Sequence, residues 1–357
     1  MEHGADIDVA VVGGGQAGLA VGYHLRRTGL EYLILDDAPA PGGAWPLYWD
    51  SLRLFSPAEH SPLPGWWMPE QPGEPFPTAG HVADYFAAYE DRYALPVRRP
   101  VRVREVRPQG ARLAVRARTA EGPREWRARA VVSATGTWSR PHTPALPGRG
   151  RFGGLQLHAA DYRRPEAFAG MRVAVVGGGN SAAQILAELS GVAETLWAAR
   201  REPRLMPDDV DGRVLFDVAT RAAAARREGV RGDGAAGLGD IVMVPPVREA
   251  RDRGVLKAHP MFERLTAKGP VWSDGQEWEC DAILWCTGFR PALEHLAPMV
   301  GPGADGTVPT EGTRSSADPR LHLVGYGDWT GPASATIIGA GMAAKTAVKE
   351  IKALLQE

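Results

Sequence analysis

Asparagine is almost missing from this chain: among its 357 residues only Asn180 is one. Lysine is nearly as scarce and supplies five of the 41 basic residues, so arginine carries the positive charge. Cysteine occurs twice, as Cys280 and Cys286. Two cysteines exclude a disulfide scaffold, and their spacing excludes a CxxC redox pair and a cysteine-rich zinc site. If both lie on one strand, six steps of ~3.3 Å set them about 20 Å apart, beyond disulfide reach. A charge excess is missing too: 41 basic against 42 acidic residues give −1. That leaves no basic footprint for nucleic acid and no polybasic membrane anchor. No run approaches the ~20 apolar residues of a membrane span. The opening acids lead into an apolar strand without the basic-then-apolar order of a signal peptide. A soluble, cytoplasmic protein is expected, with two domains at a prior of roughly 150 residues each.

The residues that are present form a pattern that repeats. Residues 7–12 form a continuous apolar run suited to a buried parallel strand, with a glycine turn after it. Residues 16–28 carry Ala17, Ala20, Val21, His24 and Leu25 on one helical face, and Gly29 ends the helix. A second buried strand, 32–35, runs into Asp36 and Asp37. Residues 38–78 then lose all periodicity in a stretch rich in Pro, Gly and Trp (Trp45, Trp49, Trp66, Trp67), too aromatic for disorder. Next come a helix over 81–93 and a solvated antiparallel meander over 97–106, 113–118 and 126–133, ending in Ala134-Thr135-Gly136. Pro141, Pro144 and Pro147 mark a link. The opening pattern then returns as strand 171–176, turn 177–179, helix 181–189 and strand 195–199. Residues 202–269 show little pattern. A hairpin at Asp274-Gly275, a strand at 282–285, a last strand at 321–324 and a helix over about 332–354 complete the chain. The fold class expected is α/β, with two Rossmann-like dinucleotide-binding domains, one inserted in the other.

The two glycine turns differ in the residues that come after them. Gly13, Gly15 and Gly18, with Gln16 and Ala17 between the last two, make GxGxxG after a strand and at the start of a helix. There the glycines permit close approach of a pyrophosphate to the helix amino end. Asp36, at the end of the second strand, is placed to accept from an adenosine ribose, with Asp37 beside it. In the second copy Gly177 and Gly179 precede Asn180, Ser181 and Ala182, with alanine at the third glycine's place. Its second strand ends in Arg200-Arg201, which suits a 2′-phosphate where a carboxylate would repel one. Two such sites on one chain imply an electron relay, and FAD at the first with NADPH at the second is the economical assignment. The corresponding domains are 1–148 and 286–357 for FAD and 149–285 for NADPH.

Several motifs resemble those of two-dinucleotide-binding-domain flavoproteins and, within them, flavin-containing monooxygenases. Gly42-Gly43-Ala44-Trp45 resembles their GGxW segment, and residues 152–162 match FxGxxxHxxxY at Phe152, Gly154, His158 and Tyr162. Ala134-Thr135-Gly136 and Cys286-Thr287-Gly288 resemble the two strand ends at which such chains cross between domains. Residues 50–57 and 325–336 are similar to segments of the flavin monooxygenases encoded in arsenic-resistance operons.

The resemblance implies hydride transfer from NADPH to FAD, oxygen activation as a flavin C4a-hydroperoxide, and oxygenation of a small soft nucleophile (sulfur, amine nitrogen or trivalent arsenic). The alternative is an NADPH oxidase or dehydrogenase that passes electrons to O₂, quinone or a partner; a nucleotide-sensing protein is a third reading. The partners expected are a small-molecule substrate and O₂, with no metal, nucleic acid or membrane, and a homo-oligomer is possible. The resemblance assigns His158 to the linker near the NADP pyrophosphate and Asp328 to the flavin ribityl chain. One departure stands out: members with well-defined oxygenation carry an asparagine in the segment matching 52–56, where this chain has Phe55 and Ser56. Ser51, Ser56 or the amide of bound NADP, behind a wall formed by Trp45 and Trp49, are the candidate replacements, and Cys286 is read as a core residue.

Overall fold

The computed structural model describes residues 2–214, 216–218, 221, 240–301, 303 and 306–356. They fall into two compact units, the first spanning Met1–Pro46, Ser56–Arg140 and Arg290–Glu357, the second Leu47–Phe55 and Pro141–Phe289. The sequence reading has the crossings at 148/149 and 285/286, whereas here they lie at 140/141 and 289/290, and residues 47–55 pack with the second unit.

In the first unit, strands β1 (Glu2–Val12), β2 (Tyr32–Leu35), β3 (Val97–Arg98), β4 (Val101–Gln109), β5 (Arg112–Thr119) and β6 (Gly122–Ser133) alternate with helices α1 (Gln16–Leu25) and α2 (Ala79–Arg92). The unit closes with β14 (Thr310–Glu311), β15 (Arg314–Ser315), β16 (Leu321–Leu323) and the carboxy-terminal helix α5 (Ile337–Gln356). The sheet order is β14-β15-β16-β6-β1-β2-β3, and its β16, β6, β1, β2 and β3 are parallel. Val9, Ala10 and Val11 of β1 are fully buried, which is why this run is apolar on both faces; each valine so removed from water contributes about 1.5–3 kcal/mol. Helix α1 lies close on β2: a Cβ on Gly22 would come within 2.7 Å of Ile34 Cδ1.

The antiparallel β4-β5-β6 meander is present, but only one face is solvated. Leu113, Val115 and Trp126 are buried, whereas Arg116 on the other face pairs with Glu125 and Glu105. Helix α5 starts five residues later than its periodicity suggests. Ala333 adopts a left-handed φ of 50° and donates its N–H to Asp328 Oδ1, so 332–336 form an irregular approach instead of a first turn.

The second unit contains β7 (Leu155–His158), β8 (Arg172–Val176), helix α3 (Asn180–Leu189), β9 (Glu194–Ala199), helix α4 (Pro245–Asp252), β10 (Ala258–Pro260), the β11–β12 pair (Arg264–Leu265, Pro270–Val271) and β13 (Ala282–Trp285). Its five-stranded sheet, β10-β9-β8-β13-β7, is parallel throughout. A tight turn at Gly275 (φ 84°) lies beyond β12, as Asp274-Gly275 signals. Within 202–269, α4 and β10 are weakly patterned because each is short; part of that stretch lies outside the described residues.

Candidate functional site: two glycine turns at parallel strand ends

The same construction occurs once in each unit. In the first, Gly13 donates its N–H to Leu35 O, and Ala134 donates to Val12 O. In the second, Gly177 donates to Ala198 O and Cys286 to Val176 O. Each turn thus lies at the carboxyl end of its strand, between the two neighbouring parallel strands, where open α/β sheets place their ligands. A Cβ on Gly13 (φ 105°) would stand 2.5 Å from Ala134 O, and one on Gly177 (φ 145°) would stand 2.2 Å from Cys286 O. The first glycine of each motif is therefore demanded by backbone contact. The third position separates the copies: a Cβ on Gly18 would lie 1.9 Å from Gly13 O, while Ala182 is accommodated and fully buried.

Neither helix start has a side-chain cap. The first helical bond of α1 is donated by Leu19 to Gly15 O, and that of α3 by Ala183 to Gly179 O. The amides of Gln16, Ala17 and Gly18, and of Asn180, Ser181 and Ala182, precede those bonds, so each start presents donors to an anion. A Cβ on Gly179 would meet nothing within 4 Å, and one on Gly15 only Gly43 Cα at 3.8 Å. Space adjoining two uncapped helix starts fits the pyrophosphates of two dinucleotides.

At the end of β2, Asp36 is buried and already engaged. Its Oδ2 accepts from Arg99 Nε at 2.7 Å, and Arg99 holds both oxygens of Glu90 at 2.6 and 2.8 Å. Burial opposes the guanidinium charge, but Glu90 and Asp36 outweigh it and raise the Arg99 pKa above its usual value. This cluster borders the glycine turn, since a Cβ on Gly14 would meet Asp36 Cγ at 2.8 Å and Arg99 Nη2 at 2.9 Å. Asp37 is exposed and pairs loosely with Arg102 at 3.4 Å. At the end of β9, by contrast, Arg200 and Arg201 are exposed and form no ion pair among the described residues.

Around the first turn, Gly43 (φ 60°) backs onto Gly15, with its Cβ position 2.9 Å from Gly15 Cα. Ala44 is half-buried, and Trp45 donates its indole N–H to Gln16 Oε1 at 3.3 Å and meets Phe86 edge-on. Gln16 in turn donates to Ala335 O at 2.7 Å. Gly325 (φ 93°) sits where a Cβ would be 2.7 Å from Ala17 Cβ, which brings the exposed Asp328 loop beside the start of α1. Behind the turn, Tyr326 Oη joins Ser133 and Thr135 Oγ1 at 2.6 Å each and accepts from Thr135 N–H. Thr135 Oγ1 also donates to Ala292 O, and Gly136 O accepts from Ala292 N–H.

Several residues that the sequence groups together belong to different units. Ser51 belongs to the second unit and donates its hydroxyl to Glu188 Oε1 on α3, whereas Trp45 and Ser56 belong to the first. Trp49 is buried in the second unit's core against Tyr162. Trp66 meets Tyr85 at a tilt and Trp67 is 70% exposed, so of the first unit's three tryptophans in 38–78 Trp45 stands at the glycine turn. The Trp45 and Trp49 expected to form one wall fall in different units.

His158, at the end of β7, has both ring nitrogens committed: Nε2 bonds Gly288 O at 3.0 Å, and Nδ1 accepts from Ala160 N–H at 3.1 Å. Burial lowers its pKa, against the Gly288 contact and Asp161. With both nitrogens bonded, the imidazole fastens the linker. Thr287 donates its hydroxyl to His142 O, and Gly288 O also accepts from His142 N–H, so both are spent inside the second unit. Asn180 Oδ1 accepts from Val242 N–H at 2.8 Å; the chain's only asparagine fastens the 240–242 segment, leaving its backbone amide at the helix start. The half-buried Cys286 has its thiol pushed up to about 12 by desolvation and is a poor nucleophile.

Sequence reasoning missed Arg99, Tyr326 and Glu188. Arg99 is one of 36 arginines and gives no local signal. Glu188 reads as an ordinary polar position in a helix. Tyr326 lies within a segment that the resemblance named, but only the fold brings its hydroxyl under Ser133 and Thr135.

The chain matches the pyridine nucleotide-disulphide oxidoreductase family over residues 10–230. The flavin-containing monooxygenase from Stenotrophomonas maltophilia is 50% identical, with 99% of this chain and 100% of that one covered at a TM-score of 0.89. Among curated proteins, the uncharacterized oxidoreductase CzcO of Bacillus velezensis is 28% identical over 80% of this chain and 82% of its own. The indole-3-pyruvate monooxygenase YUCCA1 of Oryza sativa subsp. japonica is 26% identical over 78% and 76%, respectively. The chain belongs to the pyridine nucleotide-disulphide oxidoreductase family and, within it, to the flavin monooxygenases, enzymes that use FAD and NADPH.

Proposed function

We propose that the chain is an NADPH-dependent flavin monooxygenase acting on a small soft nucleophile, with sulfur, amine nitrogen and trivalent arsenic as the eligible atoms. The observation that carries this reading is the doubled strand-end glycine turn, one copy accompanied by a buried carboxylate and the other by exposed arginines outside any ion pair among the described residues. When bound, FAD would accept hydride from NADPH and make O₂ reactive towards the substrate. The residues supply position and exclusion of water. Gly13, Gly15, Gly18 and Gly43 leave room for the FAD pyrophosphate, and the amides of Gln16 and Ala17 donate to it. Asp36 orients the adenosine ribose through the oxygen not held by Arg99. Ala44, the 134–136 strand end and Asp328 border the remainder of the cofactor. Gly177, Gly179 and the amides of Asn180, Ser181 and Ala182 serve the NADPH pyrophosphate, with Arg200 and Arg201 at its 2′-phosphate.

Trp45, tied to Gln16, screens the first turn from water, and Ser56 is the remaining hydroxyl on its side of the chain; Ser51 is committed to Glu188 and drops out of that role. A disulfide reductase is disfavoured because the chain has no CxxC dithiol: Cys280 and Cys286 flank β13.

The test is stoichiometric. NADPH oxidation, peroxide and oxygenated product are measured together with a thioether, a tertiary amine and arsenite. One of them should yield product approaching one equivalent per NADPH. Peroxide accounting for all NADPH with every substrate class would replace this reading with the oxidase. Trp45→Ala should raise the peroxide fraction without slowing flavin reduction; slower reduction and no added peroxide would assign Trp45 to the core.

A further inference from the structure

Residues 47–55 lie, in sequence, inside the first unit and, in space, on the second. Backbone and apolar contacts account for part of this. Asp50 donates its N–H to Arg163 O at 3.2 Å, and Gly212 donates to Phe55 O at 2.7 Å. Trp49 is buried against Tyr162, with Leu52 and Phe55 packed on the same cluster. The polar centre of the attachment is one carboxylate. Glu188, in the last turn of α3, takes the Ser51 hydroxyl on Oε1 and the Tyr162 hydroxyl on Oε2, the latter at 2.9 Å. The indole nitrogen of Trp49 is buried with no partner within hydrogen-bond distance among the described residues, yet it is directed at the same group closely enough to favour its ionised form. Burial works the other way and, on balance, raises the Glu188 pKa.

A half-buried carboxylate on which three donors from two separate stretches converge is an unusual choice for a helix position that a leucine could fill. It has a directional effect: beside the backbone bonds at Asp50 and Phe55, the Ser51 hydroxyl ties 47–55 to one oxygen while Tyr162 holds the other and so fixes the carboxylate that receives it.

We infer that Glu188 is a positioning residue that locks residues 47–55 into the second unit, so that this stretch is held by the NADPH-binding part of the chain. The inference rests on the proposed monooxygenase reading for its catalytic consequence. Because Glu188 lies at the far end of a ten-residue helix, about 12 Å from the glycine turn at 1.5 Å per residue, it acts on the segment and not on nucleotide phosphate.

The test uses the full chain reconstituted with FAD, in Glu188→Leu and Glu188→Gln variants, with Tyr162→Phe as a milder second cut. Hydrogen exchange should speed up at least tenfold in the 47–55 peptide of Glu188→Leu and remain unchanged in β1 and β6. The same variant should at least double peroxide per NADPH, with FAD content kept and the NADPH KM changed less than threefold. Glu188→Gln, whose amide can bond both hydroxyls in reversed polarity, should restore both readouts. Unchanged exchange at 47–55 would overturn the lock. Faster exchange with unchanged peroxide yield would overturn its service to the reaction, and exchange rising across the whole second unit would assign Glu188 to bulk stability. If the unsubstituted enzyme forms no oxygenated product, the proposed function fails instead, and the exchange result still decides the lock.

Discussion

The Arg99 cluster supports a prediction whose magnitude comes from its geometry. Arg99→Met removes one guanidinium from between two carboxylates, Asp36 at 2.7 Å and Glu90 at 2.6 and 2.8 Å. The three side chains are only 10–14% exposed. Screening by solvent is therefore weak, and the loss belongs with buried pairs broken on one side, about 3–5 kcal/mol. Total stabilities of roughly 5–15 kcal/mol leave the variant folded but marginal, so the cluster can be measured. Urea melts at pH 7 should show the variant's midpoint lowered with the slope unchanged. FAD affinity should fall too, since Asp36 loses the contact that orients it beside Gly14. Arg99→Lys, a point charge that cannot bridge three oxygens, should recover part of the stability. An Arg99→Lys variant no more stable than Arg99→Met would show that Arg99 acts through packing, and would refute the electrostatic account.

The glycine turn gives a contrast within one motif. Gly15→Val should fold yet lose FAD, because its Cβ meets only Gly43 at 3.8 Å and the added methyls enter the cradle; Gly13→Ala should fail to fold, its Cβ falling 2.5 Å from Ala134 O. Circular dichroism and bound-flavin absorbance separate the two, and flavin retained by Gly15→Val would contradict the placement. Arg200→Ala should raise the NADPH KM about tenfold, the lower end for a charged hydrogen bond at an exposed site, with NADH little affected; equal losses would give Arg200 a structural role. Burial lowers the pKa of both His295 and His322 to about 4. The unfolded chain therefore binds more protons between pH 6.5 and 4, and stability drops as pH falls through that window, by on the order of 2–3 kcal/mol per histidine. Melting temperatures across the window should fall accordingly and fall less steeply in His322→Gln; identical slopes would refute the assignment.

Local pattern determined the repeated strand, turn and helix, because each is specified within about 30 contiguous residues: an apolar run buried on both faces, glycines at a close approach, and a polar residue past the second strand. The same locality made Asp36 and the Arg200-Arg201 pair readable as opposites, and both motifs Gly13–Gly18 and Gly177–Ala182 stand at their strand ends. Alternation likewise revealed the β4–β6 meander, but not that Leu113, Val115 and Trp126 close a core beneath it, since alternation gives two faces without saying what covers them. The features that only the tertiary structure decided depend on partners far apart in the chain. Arg99 reaches Asp36 across 63 positions and Ser51 reaches Glu188 across 137. Neither pairing has a local signature, because hydrogen bonds between side chains constrain position in space and not spacing in sequence. Residues 47–55 show the limit most clearly. Their order in the chain groups them with Trp45 and Ser56, while burial of Trp49 and the Ser51 hydroxyl on Glu188 assign them to the second unit. Only the balance of buried apolar surface and satisfied polar groups across the whole chain makes that choice.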